Sequence, residues 1–247
     1  EIGNCSVEID LFHQKSSINR MELAALAIVL LFQISHFHYL CAMQSIQQLK
    51  EVLVDTIHFL HAQGWAPATS SNYSFRESGE QNFYISESGI DKGEFSTKNF
   101  LHVTPEGQPI EDERRPSAET GLHCSIYKLY PEAHCILHTH TVLNTIVSQV
   151  FLPQKALFLA DYEILKGFSG VKTHQINVKI PIFENTQDIP ALAKEAETYA
   201  QNEEMRAFLI AGHGMYTWGA TIAEAKRHVE VVEFLLECEY RKLLLRR

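Results

Sequence analysis

Short apolar runs alternate with one-faced helical segments along most of this chain, and that alternation limits the architectures it can adopt. From Ser45, apolar residues recur at three- and four-residue spacing and predict a helix that ends near Gly64. Two alternating segments, 72–76 and 82–85, predict a β-hairpin, and 101–103 predicts a further strand. The order of elements indicates an α/β layered domain with a mixed sheet.

The second half of the chain continues the alternation between helices and strands. The predicted elements are a helix over 117–130, a buried strand ending at His138, a helix from Thr141, a strand over 177–182, a helix over 189–201 capped near Asp188, a strand over 207–211 and a long final helix opened by the capping box at 221–224. With 247 residues, of which 45% are hydrophobic, the chain can bury a sizeable core in one domain.

Charge and cysteine content exclude several classes of protein. The formal charge is -9 and no dense Lys/Arg stripe occurs, so we expect no nucleic-acid partner. The five cysteines are odd in number and scattered, without a C-x-x-C pair, which argues against both a disulfide framework and a thiolate zinc site. A reducing, cytoplasmic location is the simplest interpretation.

Residues 1–42 do not share the pattern of the rest. The apolar run Leu23–Phe32 is shorter than the ~20 residues that span a bilayer, and no small-residue cleavage site follows it before His36. We therefore expect an atypical N-terminal extension outside the working domain, which we place at 43–247, and no membrane partner. A buried or interfacial helix is the first alternative, and a membrane anchor is the second.

Two histidines separated by one residue follow the apolar run Cys135–Leu137. Residues two apart on a strand share a face, so His138 and His140 can direct two imidazoles at one metal ion. The spacing alone is weak evidence, because residues 36–38 repeat it outside any strand-like run. On these residues alone, a metal pair and ordinary histidines remain about equally plausible.

His213 is the candidate third ligand, because Gly212 and Gly214 bracket it. Glycines leave the backbone free to turn sharply and allow a ligand to approach closely. Three neutral imidazoles with an open fourth position are typical of a catalytic zinc site.

Polar loops after the first predicted helix and after the hairpin offer groups that could bind phosphate. The candidate phosphate contacts are Ser71, Asn72, Ser88, Gly89 and Ser117. An ordinary polar turn is the alternative for each loop. Glu119 lies in the first turn of a predicted helix, where a carboxylate often only stabilises the helix dipole.

Five motifs occur in one order between Met43 and Arg247: S-x-N-x-S, S-G, P-S-x-E, H-x-H and G-H-G. Together they resemble the class II aldolase/adducin family. The resemblance implies a three-layer αβα sandwich and homotetramers whose sites lie at subunit interfaces. It also implies one zinc ion per subunit, bound by His138, His140 and His213.

Three segments are similar to a branch of that family that removes water from a sugar phosphate: GWAPATSSN at 64–72, ADYEILKG at 160–167 and GHGMYTWG at 212–219. The resemblance implies dehydration of 5-methylthioribulose 1-phosphate to 2,3-diketo-5-methylthiopentyl 1-phosphate in methionine salvage. It makes Glu163 the catalytic acid/base, while Glu119 shares that work or occupies the fourth zinc position.

The chain departs from the family pattern at two positions. Ser71 stands where that branch usually has glycine, and Ala118 stands where sugar-phosphate aldolases often have a second serine. A sugar-phosphate aldolase or 4-epimerase is the nearest alternative function, and a non-catalytic adducin-like interaction module is a more distant one.

Overall fold

The computed structural model describes residues 46–245, so the expected extension over 1–42 lies outside the described residues. The helices in this range are α1 (46–62), α2 (Thr120–Leu129), α3 (Val142–Phe151), α4 (Ile189–Ala200) and α5 (Ile222–Leu245). The strands are β1 (Asn72–Phe75), β2 (Phe83–Ser86), β3 (Phe100–Val103), β4 (Cys135–Thr139), β5 (Ala156–Leu159), β6 (Val178–Phe183), β7 (Ala207–Ile210) and β8 (Gly214–Gly219). None of these described helices is long and apolar enough to cross a bilayer.

Within residues 46–245 the strands form one mixed sheet in the order β3-β2-β1-β4-β8-β7-β6-β5. Strands β6 and β7 run parallel, whereas the other neighbouring pairs run antiparallel. In the middle of the sheet, His138 on β4 pairs with Asn72 on β1 and with Tyr216 on β8. Directly paired residues point to the same face, so this row of three side chains lies on one face of the sheet.

Helices cover both faces of the sheet, as the predicted αβα sandwich requires. Ile136 and Leu137 are neighbours on β4 and therefore point to opposite faces. Leu137 packs in one core with Leu53 of α1 and Leu235 of α5, whereas Ile136 packs in the other with Leu122 of α2. Both cores exclude water from apolar side chains, which is the main driving force for this layered arrangement.

The predicted helix ends are confirmed where local signals define them. Helix α1 ends at residue 62, just before Gly64, which has a φ of +75°, and the amide of Trp65 donates to the carbonyl of Leu60 at 3.0 Å. The side chain of Thr141 accepts from the amide of Asn144 at 3.0 Å and caps α3. These caps satisfy backbone groups that a helix end would otherwise leave without partners.

Two features differ from the sequence-based prediction. Helix α2 begins at Thr120 rather than Ser117, because the preceding residues form a turn in which the Thr120 hydroxyl donates to the carbonyl of Ser117 at 2.6 Å. Strands β5 and β8 were not predicted. Glycines at both ends of β8 resemble a turn signal in the sequence, yet β8 pairs antiparallel with β7 and β4 in the centre of the sheet.

Candidate metal and substrate site

Four potential metal ligands meet where β4 ends. Among residues 46–245, Glu119, His138, His140 and His213 each place one ligand atom within 4.8 Å of the others. His138 lies in β4 and His140 just follows it; His213 lies in the turn between β7 and β8, and Glu119 directly precedes α2. The fold therefore brings together the three histidines and the carboxylate expected from the sequence.

The glycines around His213 permit the close approach of its turn to β4. Gly212 has a φ of +67°, a left-handed conformation that side chains disfavour. A Cβ atom at Gly214 would lie 2.4 Å from the carbonyl oxygen of Thr139 and 2.7 Å from Cε1 of His138. A side chain at either glycine would therefore displace the turn that carries His213.

A backbone carbonyl orients the ring of His138. Its Nδ1 lies 2.9 Å from the carbonyl oxygen of Met215, which can only accept a hydrogen bond. Nδ1 therefore carries the proton in the neutral ring, and Nε2 keeps its lone pair. Nε2 lies 2.7 Å from Nε2 of His140 and 3.1 Å from Oε2 of Glu119. Orientation by a hydrogen bond to the second ring nitrogen is typical of metal-ligating histidines.

The donor set fits a divalent metal ion. Nε2 of His213 lies 3.1 Å from Oε1 of Glu119, so the carboxylate meets two of the three rings. In a tetrahedral site with metal–nitrogen bonds of about 2.0–2.1 Å, ligand atoms lie about 3.3 Å apart, close to the separations observed here. Burial and the neighbouring histidines lower the pKa of His140 to about 3, which keeps its ring neutral and able to bind a cation.

Glu119 is held as a carboxylate anion. Its Oε2 accepts hydrogen bonds from Nδ2 of Asn72 at 2.8 Å and from the hydroxyl of Tyr216 at 2.9 Å. Burial raises the pKa of Glu119, but the positive charge and hydrogen bonds of His138 and His213 in their protonated forms lower it by more, so the pKa lies well below its usual range. A cation bound by the neutral rings would act on the carboxyl in the same direction. Glu119 is therefore suited to bind a metal ion or to accept a proton.

A cavity of about 370 Å³ opens beside this cluster. Its lining includes the five candidate phosphate contacts Ser71, Asn72, Ser88, Gly89 and Ser117, together with Glu119, His140 and His213. The volume suits a small ligand such as a sugar phosphate. Ser71 has a φ of +71°, a left-handed conformation that explains why glycine is usual at its position.

The other predicted catalytic residue, Glu163, does not line this cavity. It begins a 3-10 helix, Glu163–Gly167, that follows β5 at the edge of the sheet. Its side chain is 68% exposed and forms ion pairs with Lys166 and with Nδ1 of His174, the latter at 3.3 Å. Lys166 and His174 lower the pKa of this exposed carboxyl. Within one chain, the structure does not bring Glu163 to the metal cluster.

Lys92 was not identified from the sequence, where it is one charged residue in a polar loop. The structure buries it to 1% exposure behind the cavity wall. Its ammonium donates to the carbonyl of Ile90 at 2.8 Å and to that of Thr69, which lines the cavity, at 3.4 Å. Burial lowers the pKa of Lys92 to about 8, with Asp91 opposing the shift. A buried cation thus lies close to the candidate phosphate loops.

A second buried carboxyl group supports the segment that carries His140. Glu233 of α5 is 3% exposed and accepts from the hydroxyl of Thr141 at 2.9 and 3.1 Å. Burial raises the pKa of Glu233 to about 7, although hydrogen bonds from Thr141 and Asn144 oppose the shift. The protonated carboxyl is therefore the form that the fold prefers.

We expect Glu233→Gln to stabilise the protein at alkaline pH. The pKa of Glu233 rises on folding from 4.5 to about 7. The free energy of unfolding therefore has its full value below about pH 4.5 and falls by roughly 3 kcal/mol as the pH rises through 7, because ionisation of the buried carboxyl disfavours the folded state. Glutamine keeps an acceptor for Thr141 but does not ionise. Denaturant titrations should show a higher free energy of unfolding for the variant near pH 8 and a much smaller difference near pH 5. A pH-independent difference would contradict this role.

Comparison with known proteins places this geometry in a family. The chain is 46% identical to the methylthioribulose-1-phosphate dehydratase of Marinobacter nauticus over 196 residues, which are 79% of this chain and 94% of that protein. It is 43% identical to the enzyme of the same name from Picosynechococcus sp. over 199 residues, 80% of this chain and 93% of that protein.

Solved structures share the fold. An L-fuculose 1-phosphate aldolase superposes with a TM-score of 0.66 at 22% identity, covering 80% of this chain and 88% of that one. The L-fuculose-1-phosphate aldolase of Thermus thermophilus gives a TM-score of 0.64 at 23% identity, covering 81% of this chain and 98% of that one. The family model described as Class II Aldolase and Adducin N-terminal domain matches residues 51–240. This chain therefore belongs to the class II aldolase and adducin N-terminal domain family.

Proposed function

We propose that this chain catalyses the zinc-dependent dehydration of 5-methylthioribulose 1-phosphate to 2,3-diketo-5-methylthiopentyl 1-phosphate, a step of methionine salvage. The observation that carries the proposal is the 46% identity to a methylthioribulose-1-phosphate dehydratase over 94% of that protein. The three clustered histidines and the adjoining cavity provide the groups that such a reaction needs.

In this proposal His138, His140 and His213 bind one zinc ion, and Glu119 occupies or adjoins the fourth position. A bound zinc ion supplies positive charge that stabilises the oxyanion developing on the substrate as its C3 proton leaves. Glu119 and the three neutral imidazoles together form a fixed set of ligands with one negative charge, which favours a divalent cation over a monovalent one.

The cavity loops orient the substrate in this proposal. Ser71, Ser88 and Ser117 offer hydroxyl groups at its phosphate end, and Gly89, with a φ of +79°, permits the tight turn of the second loop. Lys92 adds a positive charge behind Thr69. With the phosphate anchored there, the sugar carbons extend toward His140, His213 and Glu119 on the opposite wall.

The reaction moves one proton and releases one water. A carboxylate takes the C3 proton, and the C4 hydroxyl leaves as water after accepting a proton, so that an enol forms and tautomerises to the diketone. Glu119 is anionic and already accepts two hydrogen bonds, which leaves it poorly suited to donate a proton. We propose that Glu163 performs the acid/base work, because the segment ADYEILKG at 160–167 resembles the dehydratase segment that carries the catalytic acid/base.

Glu163 reaches a metal cluster in this proposal by acting on a neighbouring subunit of a homotetramer. Three observations support that assignment: Glu163 is exposed, it follows the edge strand β5, and the nearby apolar side chains of Phe158 and Ile164 are 65% and 38% exposed. Exposed apolar side chains next to a required acid/base are typical of a surface that another chain covers. The scattered cysteines support a reducing cytoplasmic setting.

Lys92→Met should weaken substrate binding more than it slows chemistry. A unit charge within about 8–10 Å of the phosphate contributes roughly 1–2 kcal/mol at an effective dielectric of 20, so we expect KM to rise about tenfold with kcat changed much less. In the wild type, KM should also rise as the pH passes about 8, the pKa of Lys92. Asp91 and His140 are the titratable neighbours that interact with this ammonium.

Lys128→Met is the matched control for Lys92→Met, because Lys128 is 73% exposed and does not line the cavity. Steady-state kinetics from about pH 6.5 to pH 9 test both expectations. An unchanged KM for Lys92→Met would remove this lysine from the substrate site.

Comparison of substrates tests the proposed function. Purified protein with bound zinc should turn over 5-methylthioribulose 1-phosphate with a far higher kcat/KM than L-fuculose 1-phosphate or ribulose 5-phosphate, because specificity lies in transition-state interactions with the correct substrate. A preference for either of the other two sugar phosphates would replace the dehydratase by an aldolase or an epimerase.

A further inference from the structure

A chain of buried hydrogen bonds runs beneath the metal cluster from Tyr127 to Glu119. The hydroxyl of Tyr127 lies 2.9 Å from Oγ of Ser74, which lies 2.7 Å from Nδ1 of His123. Nε2 of His123 lies 2.5 Å from Oδ1 of Asn72, and Nδ2 of Asn72 donates to Oε2 of Glu119 at 2.8 Å. Ser74 and His123 are fully buried.

The residue spacing on β1 and α2 places the members of this hydrogen-bonded series next to one another. Asn72 and Ser74 are two residues apart on β1 and point to the same face of the sheet. Glu119, His123 and Tyr127 follow at four-residue spacing along α2 and share one side of the helix. Packing of α2 on the sheet brings the two sets together.

Each hydrogen bond in this series from Tyr127 to Glu119 has only one possible direction from donor to acceptor. Because the Glu119 carboxylate can only accept, Asn72 must turn its NH2 group toward it and its Oδ1 toward His123. Burial lowers the pKa of His123 to about 3, so its neutral ring has one donor and one acceptor. Nε2 therefore donates to Asn72, and Nδ1 accepts from Ser74. The Ser74 oxygen in turn accepts from Tyr127, so all the protons point toward Glu119.

We propose that His123 is a positioning residue of the metal site: its Nε2–H fixes the amide of Asn72 with the NH2 group facing Glu119. A reversed amide would place two acceptors, Oδ1 and the carboxylate, against each other. The fixed amide holds the carboxylate where its oxygens meet His138 and His213. This inference rests on the proposed metal site and is independent of which sugar phosphate is the substrate.

Zinc affinity of the full chain, measured by competition with a chromophoric chelator, tests this role. His123→Asn carries no donor at the position of Nε2, whereas the longer side chain of His123→Gln can place an amide NH2 there. We expect His123→Asn to lower zinc affinity about 10- to 100-fold, the range for partners that orient metal ligands. His123→Gln should restore most of that affinity.

His228→Asn is the matched control. His228 is another buried histidine, 7% exposed, whose Nδ1 lies 2.7 Å from the carbonyl oxygen of Trp218, and it does not contact the metal cluster. Its substitution should lower thermal stability but leave zinc affinity unchanged. Thermal melting of each metal-free variant identifies a temperature at which all of them are folded, and affinities are compared there.

The outcomes separate this inference from the proposed function. Equal losses of zinc affinity in His123→Asn and His123→Gln would show that packing, not the Nε2–H donor, is required, and unchanged affinity in His123→Asn would also overturn the proposal. If the wild type bound zinc normally and only the difference between the two variants were absent, the dehydratase proposal would stand. A wild type that bound no zinc would overturn both.

Discussion

His138→Ala protein should lose both its metal and its turnover. The wild type should contain about one zinc ion per chain, and the variant should retain only a small fraction after dialysis. His138 is central to the cluster, because its Nε2 lies within 3.1 Å of both His140 and Glu119. Turnover should fall at least about 10²- to 10³-fold, the range for loss of one group that stabilises a developing oxyanion.

Elemental analysis and steady-state kinetics on the same preparations measure the two effects of His138→Ala together. His134→Ala is the control, since His134 directly precedes β4 and is not part of the metal cluster. It should keep full zinc content and turnover. Chelation of the wild type should mimic His138→Ala, and added zinc should restore activity to the chelated wild type alone. A His138→Ala protein with stoichiometric metal and normal turnover would disprove the assignment.

Glu163→Gln should keep zinc and lose most turnover. Glutamine preserves the shape of the side chain but cannot transfer a proton, a contribution of roughly 10²- to 10⁴-fold for a general acid or base. Because Glu163 does not contact the metal cluster in its own chain, zinc affinity should equal that of the wild type. Glu203→Gln is the control, since Glu203 is also exposed, at 52%, and paired with a lysine.

Mixing two inactive variants tests whether Glu163 acts across a subunit interface. If it does, a hybrid oligomer of Glu163→Gln and His138→Ala chains contains some sites with all histidines from one chain and Glu163 from another. Subunits exchanged under mild denaturation should then recover part of the wild-type turnover. If each site uses both residues of one chain, no mixture will be active, and Glu163 must approach its own metal cluster by a conformational change.

Glu119→Gln complements these variants. Lost zinc affinity with proportionate loss of rate would identify Glu119 mainly as a ligand, whereas lost rate with intact zinc affinity would identify it as the group that takes the proton.

Most of the helices and strands could be predicted from the sequence because the residues that define them lie only a few positions apart. The apolar spacing of α1, the Thr141 cap of α3 and the hairpin of β1 and β2 each depend on residues a few positions apart. Strand β8 was missed because glycines at both of its ends look like a turn, and only its pairing with β4 and β7 makes it a central strand. Tertiary context overrode local propensity there.

Some residues of the candidate site could likewise be predicted from local spacing, whereas others depend on tertiary contacts. His138 and His140 share a strand face, so their convergence follows from sequence spacing, and the glycines identify the turn of His213. The proposed role of His123 depends on a contact between α2 and β1, and that of Lys92 on a contact between two loops. These residues are far apart in the sequence, so no local pattern predicts their contacts. The metal cluster on which Glu163 is proposed to act belongs to a neighbouring subunit, so neither the sequence nor the structure of a single chain brings the two together.

The mass of the product formed from 5-methylthioribulose 1-phosphate tests the central claim most directly. Dehydration predicts one product that keeps every carbon and is lighter than the substrate by one water. In heavy water, that product should carry deuterium at C4, because tautomerisation of the enol places a solvent proton there. Cleavage into two smaller fragments would indicate an aldolase, and an isomer of unchanged mass would indicate an epimerase; either result would contradict the dehydratase mechanism.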